Sequence, residues 1–420
     1  LYSIRSLADS ASILYRLPKS LQNNSIQTGR VLFVCRFVEN LAFLEVYHML
    51  TLLKNADCYC PSHIGIRNIL IAANKIYKIT TPGEINDSAL IENTIDCGGL
   101  YAFPGLIDQH VHITGGGGEE GFASRAPELE LGEITGAGVS TIVGLLGADG
   151  CTRSMESLYA KAKALEAQGL TTYIYSGSYS VPQVTLTGSL MKDIVIVDKV
   201  VGAGEIAIAD HRSAQPDVSA LLKLSADAHL GGLLSGKAGV VHLHIGEGKE
   251  GLGLLLRMVK ESDLPMDMFV PTHVNRSVPL FWQAVEYCRA GGNIDLTAGE
   301  TAGVSVPEAV SIFKKEGINM TKVTVSSDAG GSIPGGGISK VEALYSDLME
   351  IIKQSVLPPE EALRLATENV AKILKLYPAK GALSEGSDAD IFMTDKNYRL
   401  MMLFSGGKLL VNKDVSRRCK

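Results

Sequence analysis

The chain has 420 residues, 46% hydrophobic and 20% charged, with a formal net charge of −6. That composition can bury a large core and excludes a disordered chain, while the acidic balance, with no Lys/Arg run longer than two residues, excludes a nucleic-acid groove. No apolar stretch reaches the roughly 18–20 residues of a membrane span, and the seven scattered cysteines suit a reducing, cytoplasmic setting rather than a disulfide framework.

Residues 1–48 are rich in Ser, Asn and basic side chains (Arg5, Arg16, Lys19, Arg30, Arg36) and hold only Asp9, Glu39 and Glu45 as acids. They read either as a transit peptide or as sequence upstream of a true start at Met49; recognisable pattern begins at Met49, which favours the second reading. From there the chain is strand-like: Leu50–Lys54, Ile66–Ala72, Lys75–Ile79 and Thr94–Cys97, separated by turns such as Thr81-Pro82-Gly83-Glu84. The far end has the same texture, with strands expected over Ala389–Met393, Leu400–Phe404 and Lys408–Val411. Two β-rich ends around a different middle imply one small β-sandwich domain, built from residues 49–103 and 376–420.

The middle, residues 104–375, alternates. Apolar runs recur about every 30–35 residues, at Leu106–His112, Ser140–Gly147, Thr171–Tyr179, Gly204–Arg212, Val240–Gly246, Phe269–Asn275, Asn293–Ala298 and Val323–Gly330, with helical stretches such as Ser154–Gln168 and Pro307–Lys315 between them. Eight strand–helix units are the arithmetic of an α/β fold, a (β/α)8 TIM-like barrel. Strands covered on both faces should read as continuous apolar runs, as these do.

Chemistry in such a barrel gathers at the C-terminal strand ends, and the polar residues fall there: His110-Val111-His112, Tyr179, Glu205 with Asp210-His211-Arg212, His242-Leu243-His244, Thr272-His273 and Ser326-Ser327-Asp328. An H-x-H pair on a strand puts both imidazoles on one face. Two neutral imidazoles in a buried pocket are poor company without a cation; two further His, a bridging carboxylate and a terminal Asp complete a binuclear site for zinc or a similar ion. His242 and His244 share a face, so periodicity does not separate them; His244 is taken as the ligand and His242 as a packed or supporting histidine. After Asp328 comes Gly330–Gly337, whose glycines suit a flap over the pocket.

Pro104–His112 resembles the opening metal motif of the amidohydrolase superfamily, and Lys380–Asp390 resembles that superfamily's return to its small sandwich. More narrowly, Gly115–Glu119, Val143–Gly147, Asp210–Ser213, Pro271–Arg276, Pro279–Phe281 and Ser326–Asp328 are similar to the isoaspartyl dipeptidases, from about Met49 to Val415. The resemblance implies a dipeptidase that cleaves the isoaspartyl (β-aspartyl) bond of dipeptides through a metal-bridging hydroxide. His110, His112 and Asp328 would hold one metal, His244 and His273 the other, and Glu205 would bridge them. Asp328 would also shuttle the proton, Tyr179 would support the oxyanion, Glu119 would take the substrate's α-ammonium, and Arg212, Arg276 and Ser332 would take its carboxylates. It implies two divalent ions per chain, zinc first with manganese or iron suiting the same donors, and a homo-oligomer, with an octamer as one form. Two departures stand out. The family's best-known bridge is a carbamylated lysine, which reaches about three bonds further than Glu205, and Ala148 stands where a threonine beside the substrate is expected. The alternatives are a cyclic-amide hydrolase, whose substrate offers Glu119 no ammonium, and an inactive scaffold, which the full donor set argues against.

Overall fold

The computed structural model describes residues 50–85, 90–333 and 337–413. The expectations for residues 1–48 and for Met49 as a start lie outside the described residues.

The first five strands, β1 (Leu50–Tyr59), β2 (His63–Ala72), β3 (Lys75–Thr80), β4 (Asn93–Asp96) and β5 (Tyr101–Pro104), precede the barrel, and β14 (Ile391–Thr394), β15 (Leu400–Ser405) and β16 (Lys408–Asn412) follow it. All eight hydrogen-bond into one sheet, in the order β16-β15-β14-β5-β1-β2-β3 with β4 beside β1. The small domain expected from the two chain ends is therefore one branched, hydrogen-bonded sheet with a core of its own. One face of its strands contributes Leu53, Cys58, Ile69, Ile95, Ile391 and Phe404 to a common cluster, which a flat sheet could not do. The branch sits at β1, whose first half pairs with β4 and whose second half pairs with β5.

Between the two ends run β6 (Leu106–Val111), β7 (Val139–Gly144), β8 (Thr171–Ser176), β9 (Val200–Ile208), β10 (Val240–Ile245), β11 (Phe269–Thr272), β12 (Ile294–Thr297) and β13 (Val323–Ser326). Strands β6 to β11 pair in order, all parallel, and β12 pairs parallel with β13. Except in β8, every residue of these strands is buried, as a sheet covered on both faces requires. The helices between them start where the sequence supplies caps: Ser154 accepts from the Ser157 amide ahead of Met155–Gln168, and Ser277 accepts from the Leu280 amide ahead of Val278–Arg289.

Backbone pairing alone does not close this barrel. On one side the closure is a single parallel bridge, Val111 to Ala329, with the His112 amide donating to the Ala329 carbonyl at 2.8 Å. On the other side side chains do the work. Asp295 on β12, fully buried, accepts from Thr272 on β11 (2.8 Å), Gln109 on β6 (2.7 Å), and Thr324 (2.7 Å) and Ser326 (2.5 Å) on β13. A buried carboxylate is tolerated here because four donors satisfy it.

Three strands differ from the sequence expectation at their ends in ways that matter below. Strand β9 begins at Val200 and stops at Ile208, so Asp210-His211-Arg212 stand in the turn beyond it. The strand was expected from Gly204; Gly202 and Gly204 lie inside it, pressed against β10: a Cβ on Gly202 would come within 2.3 Å of the Val240 carbonyl oxygen. Strands β11 and β13 stop at Thr272 and Ser326, just before His273 (φ +62°) and Asp328 (φ +55°).

The Lys380–Asp390 motif is the joint between barrel and sheet. Lys380 is buried and places its ammonium 2.6 Å from Asp390, 2.9 Å from Asp388 and 2.8 Å from the Thr171 hydroxyl at the start of β8. Asp390 also accepts from the Gly406 amide at 2.7 Å. Replacing Lys380 by Met would strand a buried carboxylate, so Lys380→Met should cost about 3–5 kcal/mol of unfolding free energy, read as a lowered urea midpoint; an unchanged midpoint would show that the joint carries no weight.

Candidate active site

Six side chains from six places in the chain meet at the C-terminal mouth of the barrel. Glu205 lies at their centre. Its carboxylate is 3.5 Å from His110 Nε2, 3.3 Å from His112 Nε2, 3.2 Å from His244 Nδ1 and 3.5 Å from His273 Nε2. Asp328 Oδ1 is 3.3 Å from His110 Nε2 and 3.1 Å from His112 Nε2. All six are buried. The reach of the glutamate is met by backbone geometry. Between the pairs Val241–Ala203 and Leu243–Ile206, β9 holds one residue more than β10, a bulge at Gly204-Glu205. Gly147 at the end of the second strand unit leaves room for the cluster: a Cβ there would sit 2.8 Å from His112 Cε1 and 3.4 Å from Glu205 Oε1.

Divalent cations fit this donor set. His110 Nε2, His112 Nδ1 and Glu205 Oε1 are buried with no hydrogen-bond partner, a costly state that ligation relieves. Two overlapping groups, His110–Glu205–His273 and His110–His112–Asp328, each bring their ligand atoms within 4.8 Å of one another. Burial opposes charge on both carboxylates, yet the surrounding imidazoles hold Glu205 and Asp328 well below the usual carboxylate range. Burial likewise opposes a proton on His110, but Glu205 and Asp328 outweigh it and push that imidazole up to about 10; His112 is raised in the same way. His273 goes the other way, lowered by burial and by the Arg276 guanidinium.

Three of the four imidazoles are oriented from behind. His110 Nδ1 is 2.8 Å from His242 Nε2, and His242 is stacked on Tyr175 with ring centroids 5.1 Å apart, so His242 supports the cluster from outside it. His273 Nδ1 is 2.7 Å from the Thr297 hydroxyl. His244 Nε2 is 2.9 Å from Asp210 Oδ2. Asp210, named in the sequence as a strand-end residue and in the Asp210–Ser213 motif but given no role there, does two things: it also takes Arg212 in a fork, from Nε at 3.0 Å and Nη2 at 2.8 Å. His211, between them, has a 90% exposed side chain and stands outside the site.

The cleft over the cluster is lined by His112, Glu119, Tyr179, Arg212, His244, Arg276, Asp328 and Ser332, and also by Ala148 and Arg153. Its charged arms are paired with one another. Glu119 Oε1 accepts from Arg212 Nη1 at 3.1 Å and from the Ser332 hydroxyl at 3.3 Å, linking three loops across the mouth. Arg276 Nη2 donates to Asp328 Oδ2 at 3.0 Å. The Tyr179 hydroxyl is 2.8 Å from His244 Nδ1, and burial, then the nearby Glu205, pushes its pKa well above the ordinary phenol value, so it stays a proton donor. With Asp210 holding its fork, Arg212 has one N–H side, Nη1, to offer a ligand. The glycine segment after Asp328 is a hairpin at its base, with Ser332 bridged to Ile338; residues 334–336 lie outside the described residues.

A model of the amidohydrolase family matches residues 286–414. The crystal structure of the β-aspartyl dipeptidase of Fervidobacterium islandicum AW-1 is 40% identical, covers 87% of this chain and 98% of that one, and superposes with a TM-score of 0.81. A second structure of it, in complex with β-Asp-Leu, is 41% identical over 87% and 97% of the two chains, again at 0.81. This chain belongs to the β-aspartyl dipeptidases of the amidohydrolase family. The fold alone is shared more widely: dihydropyrimidinase from Brevibacillus agri is 15% identical with a TM-score of 0.62, covering 87% of this chain and 95% of its own. Among curated proteins, adenine deaminase 2 of Agrobacterium fabrum is 25% identical over 79% of this chain, which spans about half the length of that protein.

Protons on His110 and His112 must leave before a divalent ion can bind. Metal affinity of the stripped protein should therefore fall as pH is lowered from 8 to 6, about tenfold per unit for each proton displaced. Competition against a chelating dye at several pH values measures this, and a flat profile would mean that the imidazoles are not the ligands.

Proposed function

We propose that this chain is a metal-dependent dipeptidase that hydrolyses the isoaspartyl bond of β-aspartyl dipeptides. The observation that carries the reading is the charge pattern of the cleft: beside the mutually paired Arg153 and Asp149 and the cluster's own Asp328, its lining holds one carboxylate, Glu119, and two guanidiniums, Arg212 and Arg276. A β-aspartyl dipeptide presents one ammonium and two carboxylates. The Fervidobacterium relative, crystallised with β-Asp-Leu, supports the same substrate class.

In this reading His110, His112 and Asp328 hold one ion and His244 and His273 the other, with Glu205 between them and zinc as the first choice. When bound, the ions supply a Lewis acid for the scissile carbonyl and lower the pKa of water. The chain's own residues do the rest. Glu119 exchanges Arg212 and Ser332 for the substrate's α-ammonium, which frees Arg212 Nη1 and the Ser332 hydroxyl for a carboxylate. Arg276 takes the other carboxylate and in doing so releases Asp328 Oδ2. Asp328 is then free to accept a proton from the attacking water and pass it to the leaving amine. Tyr179, a donor throughout, faces the oxygen on which charge develops. Ala148 has no hydroxyl to offer, so one hydrogen bond to substrate is absent at that place. The family resemblance supports a homo-oligomer, and the scattered cysteines support a cytoplasmic setting.

The metal-loaded protein should carry about two equivalents of divalent ion and turn over β-Asp-Leu but neither dihydroorotate nor hydantoin. Turnover of the cyclic amides alone would make it a cyclic-amide hydrolase, and no metal with no turnover would make it a scaffold. Glu119→Gln should lower kcat/KM for β-Asp-Leu by about 10²-fold, the size expected when a charged partner is lost, with metal content unchanged; equal loss of metal would give Glu119 a structural task. Because Glu205 is a carboxylate as encoded, bicarbonate should not speed reactivation of the stripped protein by added metal, and a strong bicarbonate dependence would contradict the bridge.

A further inference from the structure

Arg153 lines the cleft, yet it has nothing left with which to bind a substrate. A guanidinium carries five N–H donors, and here each has an acceptor: Nε donates to the Thr114 carbonyl (3.2 Å), Nη1 to the Gly117 carbonyl (3.2 Å) and Asp149 Oδ2 (3.3 Å), and Nη2 to the carbonyls of Gly116 (2.8 Å) and Ala126 (3.2 Å). Four of the five acceptors are backbone oxygens of the segment that holds Glu119. Only 5% of Arg153 is exposed.

That segment needs an external hold. Gly115, Gly117 and Gly118 all have positive φ, and a Cβ on Gly115 would lie 2.2 Å from the Ala126 carbonyl oxygen, so the loop can be made only of glycine. Glycines bring no side chains to pack and lose the most backbone entropy on ordering. The opposite side of the loop is tied to the same carboxylate: Arg125 Nη1 donates to Asp149 Oδ2 at 2.7 Å. Asp149 is in turn fixed by the amides of Cys151 (3.1 Å) and Thr152 (2.8 Å). Two arginines on one aspartate thus bind the loop after β6 to the loop after β7.

We propose that Arg153 is a positioning residue that sets the glycine loop and, through it, the place of Glu119, so that recognition of the substrate's α-ammonium depends on a side chain that never touches it. This rests on the functional reading above for what Glu119 binds. A lysine cannot replace Arg153, because one ammonium offers three donors from a single point where this loop needs five spread over a plane.

Arg153→Lys should raise KM for β-Asp-Leu about tenfold, leave kcat within about threefold and keep metal content at the wild-type level. In a Glu119→Gln background it should add no further loss, because the two changes act on one interaction. Hydrogen exchange of the 115–126 amides should speed up in Arg153→Lys. Asp149→Asn, which weakens one acceptor and keeps its shape, should shift KM and exchange in the same direction by less, and it serves where Arg153→Lys fails to fold. An unchanged KM, a penalty that adds fully to that of Glu119→Gln, or unaltered exchange would overturn the proposal. Failure of wild-type protein to cleave β-Asp-Leu would overturn the functional reading instead, and the exchange measurement would still decide whether Arg153 holds the loop.

Discussion

Two carboxylates buried together in the mouth of a barrel are the constraint that organises this molecule. Glu205 and Asp328 are both removed from water, and an isolated buried charge is among the most expensive things a fold can hold. Four imidazoles surround them, and although burial opposes charge, attraction to the two carboxylates outweighs it at His110 and His112 and raises both imidazoles. Everything close by serves to keep the six side chains converged. His242 and Thr297 hold imidazoles from behind, Asp210 holds His244, and the chain enters left-handed backbone at His273 and Asp328 to aim them inward. Non-glycine residues at positive φ are uncommon, and two of the few here are donors of the cluster.

The substrate layer above is built from the same kind of pairing, at lower burial. A continuous chain of contacts runs from Ser332 to Glu119, Arg212, Asp210 and His244. Glu119, Arg212 and Asp210 each touch both of their neighbours in it, so displacing Glu119 from Arg212 changes the surroundings of an aspartate that also orients a cluster histidine. Recognition and the donor cluster are therefore joined through Asp210, which makes the turn after β9 more than a connector.

The barrel was legible because its strands are buried on both faces and read as unbroken apolar runs, and the donors were legible because His-x-His on a strand can place two rings together. What stayed hidden depends on pairing between distant segments. The bulge at Gly204-Glu205 is a mismatch of register between β9 and β10, and neither strand alone contains it. The branch at β1, where its two halves meet different strands, was likewise not legible in the small domain. The roles of Asp210 and Arg153 were missed for a related reason: their partners are an imidazole and a row of backbone carbonyls, and backbone acceptors leave no mark in a sequence. Asp295 was likewise unmarked, although it joins β6, β11, β12 and β13 where backbone pairing is thin.

The short side chain at the centre shows how such hidden register can decide chemistry. Strand β9 holds one residue more than β10 at Gly204-Glu205, the glycine at 202 lets that strand press against β10, and the glycine at 147 leaves room beside His112. The outcome is a carboxylate within 3.5 Å of a nitrogen on each of four histidines. Placement that belongs to the backbone is rigid, since it is shared with a hydrogen-bonded sheet, whereas placement that belongs to a long side chain must be frozen at a cost in rotamer entropy.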